Sequence, residues 1–284
     1  MASRISEITD HVDAGKGTRL FFRDSRIENE RGGALIVHGL AEHSGRYAHI
    51  TEMLATIGIR TFAYDHRGHG ESTGKRGHIT RFSEYTNDLE LMIEKSRNAL
   101  SPQVPLFLIG HSMGGLIVLN YIQQHGNKKI DGLIVSSPGL GVAVKPPASK
   151  EIAARVMSRV APGFSFDNEL NPQYLSHNQK SIDAYLNDPL IHRRITARWV
   201  TEFMKTGEQT CNRADCITLP VLMQVAGGDR IVSPEVSRDF YENISSQDKT
   251  LHFYDELHHE IYNESDSLRE QVMEDLKTWI NDHA

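Results

Sequence analysis

The sequence contains almost no cysteine, since only Cys211 and Cys216 occur among its 284 residues. Two thiols cannot by themselves supply a four-ligand zinc site, and they do not make the disulfide framework of a small secreted protein. We therefore expect two free thiols in a reducing compartment.

Long apolar runs and clusters of basic residues are also absent. No run approaches the roughly 20 apolar residues of a membrane-spanning helix, and residues 1–12 lack the apolar stretch of a signal peptide. The 31 Lys and Arg residues against 37 Asp and Glu give a formal net charge of −6, without a basic run. This balance argues against nucleic acid as a partner. We expect a soluble, cytoplasmic protein with at most peripheral membrane contact.

Short apolar runs bounded by turn residues recur along the chain, and helical patterns separate them. The runs are rich in Val, Ile, Leu and Phe without strict alternation, which is typical of strands buried on both faces of a parallel sheet. They occupy residues 34–37, 61–64, 106–109, 133–135 and 221–225. Amphipathic or capped helices are predicted near residues 82–100, 112–124, 238–243 and 267–282. The pattern predicts an α/β fold with a doubly wound, mostly parallel sheet, and residues 19–23 are predicted to form an antiparallel edge strand.

The alternation of strands and helices breaks after residue 139, and no buried strand is predicted until residue 219. This predicts a core domain made of residues 1–141 and 210–284, with residues 142–209 as a helical lid (cap) insertion. Insertions at the carboxyl edge of a parallel sheet lie over the active site and often act as lids.

One predicted helix of the lid has an apolar face. It is formed by Ile152, Ala153, Val156, Met157 and Val160. We expect this face to pack onto the core in preference to contacting a membrane.

Residues 110–114, GHSMG, form a Gly-x-Ser-x-Gly motif between a predicted buried strand and a predicted helix. In this context the serine lies on a sharp, strained turn that exposes its hydroxyl. Gly110 and Gly114 have no Cβ to clash where strand and helix approach each other. The motif predicts Ser112 as a nucleophile, with the N-terminus of the following helix beside a developing oxyanion.

An oxyanion hole needs a second N–H group, which in such folds comes from the loop after an earlier strand. Residues 38–41, HGLA, follow the strand at 34–37. The backbone N–H groups of Leu40 and Met113 are therefore the predicted donors. His38 in this loop is interpreted as a buried hydrogen-bonding residue and not as the catalytic base.

The acid of a triad is expected after the nucleophile and before the histidine. Asp229 follows the strand at 221–225 and two glycines, which suits a carboxylate that orients an imidazole. Asp255 and Glu256 compete with it, but both adjoin the candidate histidines in sequence. Placement favours Asp229.

The histidine is expected after the next strand, near residues 251–254, where His258 and His259 are adjacent. Their residue types alone do not separate them. The chain has 15 histidines, yet no His-Glu-x-x-His motif or close His/Cys set occurs. We therefore expect no metal and no cofactor.

With these residues in view, the chain resembles monoacylglycerol lipases and the related lysophospholipases of the α/β-hydrolase superfamily. The resemblance extends from about residue 22 to about residue 280. It is carried by the segments 38–47 (HGLAEHSGRY), 65–72 (DHRGHGES), 110–115 (GHSMGG), 185–190 (YLNDPL), 246–250 (SQDKT) and 257–264 (LHHEIYNE).

The resemblance implies roles for particular residues. It places His259 at the catalytic position and His258 at an aromatic one, and it implies the same two oxyanion donors. It also implies that Glu42 and Arg46 help to hold a glycerol head group; the simpler alternative is a surface ion pair between residues four apart. Tyr262 stands where the mammalian lipase has a histidine that lines the pocket, and its hydroxyl can still form a hydrogen bond.

These observations predict hydrolysis of a monoacylglycerol, a lipid ester, to fatty acid and glycerol through a Ser112–Asp229–His259 triad and an acyl-enzyme. The alternatives are a lysophospholipase, with Arg46 or arginines of the lid serving the phosphate, and a general carboxylesterase. A ligand-binding protein on a hydrolase scaffold is disfavoured, because all catalytic residue types occur in the right order. Epoxide hydrolases and dehalogenases need a carboxylate nucleophile, and position 112 holds serine.

Overall fold

The computed structural model describes residues 5–127, 129–144 and 146–284. Its strands are β1 (Ser6–Asp13), β2 (Arg19–Arg26), β3 (Gly32–Val37), β4 (Ile59–Tyr64), β5 (Leu106–His111), β6 (Gly132–Ser136), β7 (Ser165–Asp167), β8 (Arg194–Thr196), β9 (Val221–Ala226) and β10 (Lys249–Tyr254). Its helices are α1 (Ala48–Thr56), α2 (Ser83–Ala99), α3 (Met113–His125), α4 (Ala148–Val160), α5 (Gln179–Asn187), α6 (Ala197–Cys211), α7 (Pro234–Glu242) and α8 (Asp266–His283). None of these helices is both long and apolar enough to cross a membrane.

An eight-stranded sheet forms the centre of the molecule, with the strand order β1-β2-β4-β3-β5-β6-β9-β10. Strands β1 and β2 pair antiparallel with each other, and β2 pairs antiparallel with β4. From β4 to β10 all neighbours are parallel. The predicted mostly parallel α/β-hydrolase fold is therefore confirmed.

The central strands are buried on both faces, as their mostly apolar sequences without alternation predict. Along β3, Leu35 and Val37 belong to one hydrophobic core, whereas Ala34 and Ile36 belong to a second core on the opposite face. Successive side chains of a strand point to opposite faces, so two apolar cores require apolar residues at every position. This explains the missing alternation.

The antiparallel edge holds one confirmed and one missed strand. The edge strand predicted at residues 19–23 is present as β2, whose apolar residues are buried. Strand β1, outside it, was not predicted, because its sequence SEITDHVD is polar and almost fully exposed. An exposed edge strand carries no apolar signal, since only its backbone hydrogen bonds hold it to the sheet.

Residues 142–209 leave the sheet between β6 and β9, and these two strands pair directly, with Leu133 opposite Val221. The segment contains α4, α5 and all but the last two residues of α6, so the bound drawn at residue 209 falls inside that helix. It also contains a two-stranded antiparallel sheet of β7 and β8, which was not predicted. Strands of three residues are too short to show a periodicity.

Helix α4 corrects one expectation. Ile152, Val156 and Val160 are 62%, 54% and 78% exposed, so their face does not pack onto the core. The helix instead contacts α6, where an Arg198 guanidinium N–H donates to the backbone oxygen of Ser158 at 2.6 Å. Ser158 is the buried residue of the helix. The insertion therefore presents an apolar surface to the surroundings.

The two cysteines are free thiols, as expected from their number. Cys211 is partly buried at the end of α6, and Cys216 is exposed shortly after it. Burial raises the pKa of the Cys211 thiol to about 11, so this thiol is protonated and unreactive at neutral pH.

Candidate active site

Ser112 lies on the turn from β5 into α3 with φ 52° and ψ −116°. This conformation is rare for a residue with a Cβ and is held by the surrounding structure. A Cβ on Gly110 would lie 2.7 Å from the backbone oxygen of Gly114, and a Cβ on Gly114 would lie 1.9 Å from that of Val37. Both contacts are impossible. The predicted steric need for glycine at the two positions is confirmed.

His259 lies between the other two residues of the predicted triad. Its Nε2 is 2.8 Å from Ser112 Oγ, and its Nδ1 is 2.6 Å from Asp229 Oδ2. The three side chains come from distant parts of the chain, and Ser112, Asp229 and His259 are 9%, 7% and 3% exposed. An imidazole bonded to a carboxylate on one nitrogen and to a hydroxyl on the other is arranged to take the hydroxyl proton.

The competing residues lie elsewhere. His258 stacks on the imidazole of His177, with ring centroids 3.7 Å apart. Asp255 and Glu256 are exposed in the turn after β10. The geometry therefore brings together the acid favoured by placement and the histidine favoured by resemblance.

The loop after β9 orients the Asp229 carboxylate. Its Oδ1 accepts hydrogen bonds from the backbone N–H groups of Ile231 at 2.8 Å and Val232 at 3.1 Å, which leaves Oδ2 for His259. Burial alone would lower the pKa of His259, but the adjacent Asp229 carboxylate outweighs it and raises the pKa above its usual value. The site therefore favours the imidazolium form of His259.

The loop after β3 lies against Ser112. A Cβ on Gly39 would be 3.3 Å from Ser112 Cβ, so the backbone that leads into Leu40 passes beside the serine. Met113 is the first residue of α3, and the first N–H groups of a helix have no intrahelical partner. The structure thus places both predicted oxyanion donors on segments that meet at Ser112.

His38 is part of the support of this loop. It is fully buried, donates from Nδ1 to the backbone oxygen of Gly39 at 2.7 Å, and accepts the backbone N–H of His66 on Nε2 at 3.0 Å. Burial lowers the pKa of His38 to about 3, so the ring is neutral. This fits a hydrogen-bonding residue and not a catalytic base.

A family model described as serine aminopeptidase, S33 (Hydrolase_4) matches residues 28–266, which is most of the chain. The chain belongs to the Hydrolase_4 family.

Two individual relatives and one solved structure are similar to most of the chain. The chain is 32% identical over 250 residues to the phospholipase YtpA of Bacillus subtilis, covering 88% of this chain and 95% of the relative. It is 31% identical over 254 residues to the monoacylglycerol lipase of Mycolicibacterium smegmatis, covering 89% of each. The crystal structure of Paleococcus ferrophilus monoacylglycerol lipase matches with a TM-score of 0.85 at 35% identity, covering 93% of this chain and 99% of that one.

These relatives confirm the resemblance found in the sequence. They share the α/β-hydrolase fold over nearly their whole length with this chain. This Hydrolase_4 protein is a carboxylic ester hydrolase.

Glu42, Arg46 and Glu260 form a buried cluster of charges next to the triad, here called the acid–arginine cluster. Arg46 donates from Nη1 to Glu42 Oε2 at 2.8 Å, and from Nη1 and Nη2 to the two oxygens of Glu260, each at 2.6 Å. Glu42 and Glu260 are 2% and 5% exposed. The alternative of a surface ion pair is therefore wrong for Glu42 and Arg46.

The acid–arginine cluster connects the two loops that flank Ser112. Glu42 Oε1 accepts the backbone N–H of Gly39 at 2.6 Å and the hydroxyl of Tyr47 at 2.7 Å. Glu260 directly follows His259 in the chain. Burial alone would raise the pKa of Glu260, but Arg46 lowers it from its ordinary 4.5 to about 2. Both carboxylates thus depend on one guanidinium.

Arg46→Ala is expected to destabilise the protein by about 3–5 kcal/mol near neutral pH, because it leaves buried carboxylates without a cation. In the wild type, the low pKa of Glu260 contributes stability that is present above its ordinary pKa and is lost as the pH falls towards about 2. Without Arg46 the pKa of Glu260 rises, so the deficit of the variant shrinks as the pH falls. Urea unfolding near neutral pH and at about pH 5 measures both effects.

Arg193→Ala is the matched control. Arg193 pairs with Asp167 at 3.0 Å, but the two side chains are 48% and 52% exposed. Such a pair contributes at most about 1 kcal/mol. A cost of Arg46→Ala no larger than that of Arg193→Ala would contradict the assigned role of the cluster.

Tyr262 is placed differently from the other residues implied by resemblance. Its hydroxyl donates to Gln224 Oε1 at 2.7 Å, and the side chain is 2% exposed within the core that also contains Leu276 and Trp279. Its backbone oxygen lies 2.9 Å from His49 Nε2. The phenol is therefore engaged inside the protein, which argues against the head-group contact implied by the resemblance.

Sequence reasoning missed Glu260 and Tyr47. Both lie inside segments quoted for the resemblance, yet nothing in their spacing distinguishes them from surface residues. The available signal is an acid directly after the catalytic histidine, at a position whose burial only the folded structure defines. Sequence reasoning also missed Gln224, a fully buried amide within the otherwise apolar β9.

Proposed function

We propose that this protein hydrolyses monoacylglycerols to fatty acid and glycerol. The observation that carries the proposal is the Ser112–His259–Asp229 hydrogen-bonded chain, with both contacts of His259 at 2.8 Å or less. It occurs in a chain that aligns with monoacylglycerol lipases over 89% and 93% of its length.

In the proposed mechanism His259 takes the proton of the Ser112 hydroxyl while the oxygen attacks the acyl carbonyl. Asp229 holds the imidazole in the required tautomer and stabilises its cation. The N–H groups of Leu40 and Met113 bind the oxyanion of the tetrahedral intermediate, each contributing about 3–4 kcal/mol. Glycerol leaves with the proton from His259, and a water molecule activated by the same imidazole hydrolyses the acyl-enzyme.

Arg46 is proposed to bind the glycerol head group. A guanidinium has five N–H donors, and among the described residues its hydrogen bonds to Glu42 and Glu260 use three of them. The remaining donors suit the hydroxyl groups of glycerol. Glu42 is nearly buried and is bonded on both oxygens, so we assign it the task of holding Arg46 and the Gly39 loop in place.

Residues 142–209 are proposed to act as the lid, and α4 as its lipid-facing element. The support is the apolar exposure of Ile152, Val156 and Val160, joined by Phe164 at 57%. Large apolar side chains exposed along one helix face indicate a site of interaction. Substrates that aggregate in water would meet the enzyme there, which is a peripheral contact with a lipid surface.

A comparison of kcat/KM for 1-monooleoylglycerol, 1-oleoyl-lysophosphatidylcholine and p-nitrophenyl butyrate tests the substrate. We expect the glyceride to exceed the lysophospholipid at least about tenfold, the value of one head-group interaction of about 1.4 kcal/mol. The Bacillus subtilis relative is a phospholipase, which supports the alternative of a phospholipid substrate such as a lysophospholipid. A preference for the lysophospholipid would contradict the proposal and identify a lysophospholipase. Turnover of the butyrate ester alone would identify a general carboxylesterase.

A further inference from the structure

Three side chains with metal-ligating atoms meet beside the triad, where the insertion reaches the loop that carries His259. His177 comes from the insertion, just before α5. In the loop after β10, His258 directly precedes His259, and Glu264 follows His259 a few residues later. One ligand atom of each residue lies within 4.8 Å of those of the other two. The mechanism proposed above uses none of the three.

The Glu264 carboxylate is fixed in position by the backbones of both histidines. It is fully buried, and it accepts the backbone N–H of His177 on Oε2 at 2.8 Å and that of His258 on Oε1 at 3.0 Å. The hydroxyl of Ser176 donates to Oε2 at 3.1 Å. Outer hydrogen bonds of this kind orient the carboxylate of a metal site before the metal arrives.

The two imidazoles are arranged with an unused nitrogen and a route from solvent. Their rings stack with centroids 3.7 Å apart and planes 25° apart. Within the described part of the chain, His258 Nδ1 is buried and has no hydrogen-bond partner. The side chain of His177 is 42% exposed, so an ion has access from that side.

We propose that His177, His258 and Glu264 form a zinc site that joins the insertion to the loop of the catalytic histidine. Two imidazole nitrogens and one carboxylate oxygen are a donor set that Zn²⁺ accepts, with water in the fourth position. His177 Nδ1 and Glu264 Oε1 are hydrogen-bonded at 2.8 Å, and zinc would replace the shared proton, since tetrahedral ligands about 2.0–2.1 Å from zinc lie about 3.3 Å apart. The ligand atom of His258 lies within 4.8 Å of the other two, and its ring, stacked on that of His177, has to turn towards the ion.

This site was not expected from the sequence, which indicated no metal. His177 is far from the other two residues in the chain, and the spacing of His258 and Glu264 matches no metal motif. Only the fold brings the three together. The proposal concerns binding and is independent of the substrate assigned above.

Calorimetric titration of the chelator-treated protein with ZnCl₂ tests the proposal. We expect one equivalent to bind the wild type, and His177→Ala to bind at least about tenfold more weakly, since losing even an outer partner of a metal ligand costs that much. Zinc is expected to raise the Tm of the wild type by a few degrees and to leave that of His177→Ala unchanged. His258→Asn provides a second ligand variant, with the same expected loss.

His125→Ala is the control, because His125 is a half-exposed histidine that also faces a carboxylate, Glu90, at 3.3 Å, with no third ligand among the residues that the structure describes. It is expected to bind zinc as the wild type does. Wild-type protein that binds no zinc would overturn the proposal, as would a His177→Ala variant with unchanged affinity or an equal loss in His125→Ala. No arm measures ester turnover, so failure here is distinct from failure of the proposed function.

Discussion

Ser112→Ala is expected to lower kcat for 1-monooleoylglycerol by about 10⁴- to 10⁶-fold, the loss seen when the nucleophile of a serine hydrolase is removed. The alanine has no oxygen to attack the acyl carbonyl, so no acyl-enzyme forms. Binding contacts remain, and KM is therefore expected to change little. Steady-state turnover measures the loss of kcat. Stoichiometric labelling with a fluorophosphonate measures separately the loss of the reactive serine.

Ser136→Ala is the control for this change. Ser136 ends the neighbouring strand β6 and is also buried, but its hydroxyl lies 3.2 Å from His111 Nδ1 and does not contact His259. Its loss is expected to leave labelling intact and to alter turnover by less than about tenfold, the effect of one net hydrogen bond. Turnover or labelling that survives in Ser112→Ala would identify a different nucleophile.

Asp229→Asn is expected to lower kcat/KM by about 10⁴-fold, because an amide does not hold the imidazole in the tautomer that accepts the serine proton. The pH profile is expected to change as well. The enzyme needs neutral His259, so activity falls as the pH drops through the pKa of that residue, which Asp229 raises. Without the carboxylate this pKa is lower, so the acidic limb of the remaining activity shifts to lower pH.

Asp255→Asn is the matched control, since Asp255 is an acid of the same type in the exposed turn after β10. It is expected to retain wild-type kcat/KM and an unchanged acidic limb. A variant at position 255 as impaired as the one at 229 would show that the acid had been misassigned.

The sequence predicted those features that arise from local rules. Strands β3, β5 and β9 are buried on both faces, so each reads as a mostly apolar run without alternation. The nucleophile turn is specified by glycines whose Cβ atoms have no room. Asp229 follows from its position after β9, but the residues alone left His258 and His259 equal. Family resemblance separated them, and the hydrogen bonds of His259 agree.

The features that were not predicted depend on contacts between distant segments. Strand β1 is polar and exposed, and it is defined by pairing with β2. The face of α4 containing Ile152 is apolar in sequence, and amphipathic helices commonly bury such a face; here it is exposed. The acid–arginine cluster needs Glu260 beside Arg46, which no spacing along the chain indicates.

The start of the insertion is joined to the loop that carries Asp229. Val142 forms an antiparallel bridge with Val232. Ala143 N–H donates to the backbone oxygen of Ile231 at 3.0 Å, and the backbone oxygen of Gly141 accepts from Ser233 at 2.9 Å.

Ile231 and Val232 are the residues whose N–H groups also hold the Asp229 carboxylate. The first residues of the insertion are thus structurally a part of the core. In recombination between homologues, whether in evolution or in the laboratory, a crossover after Ala143 transfers a new cap and keeps this pairing. A crossover two residues earlier also replaces Val142 and Ala143, which pair with the loop that carries Asp229. The position of the crossover therefore limits which caps the core accepts.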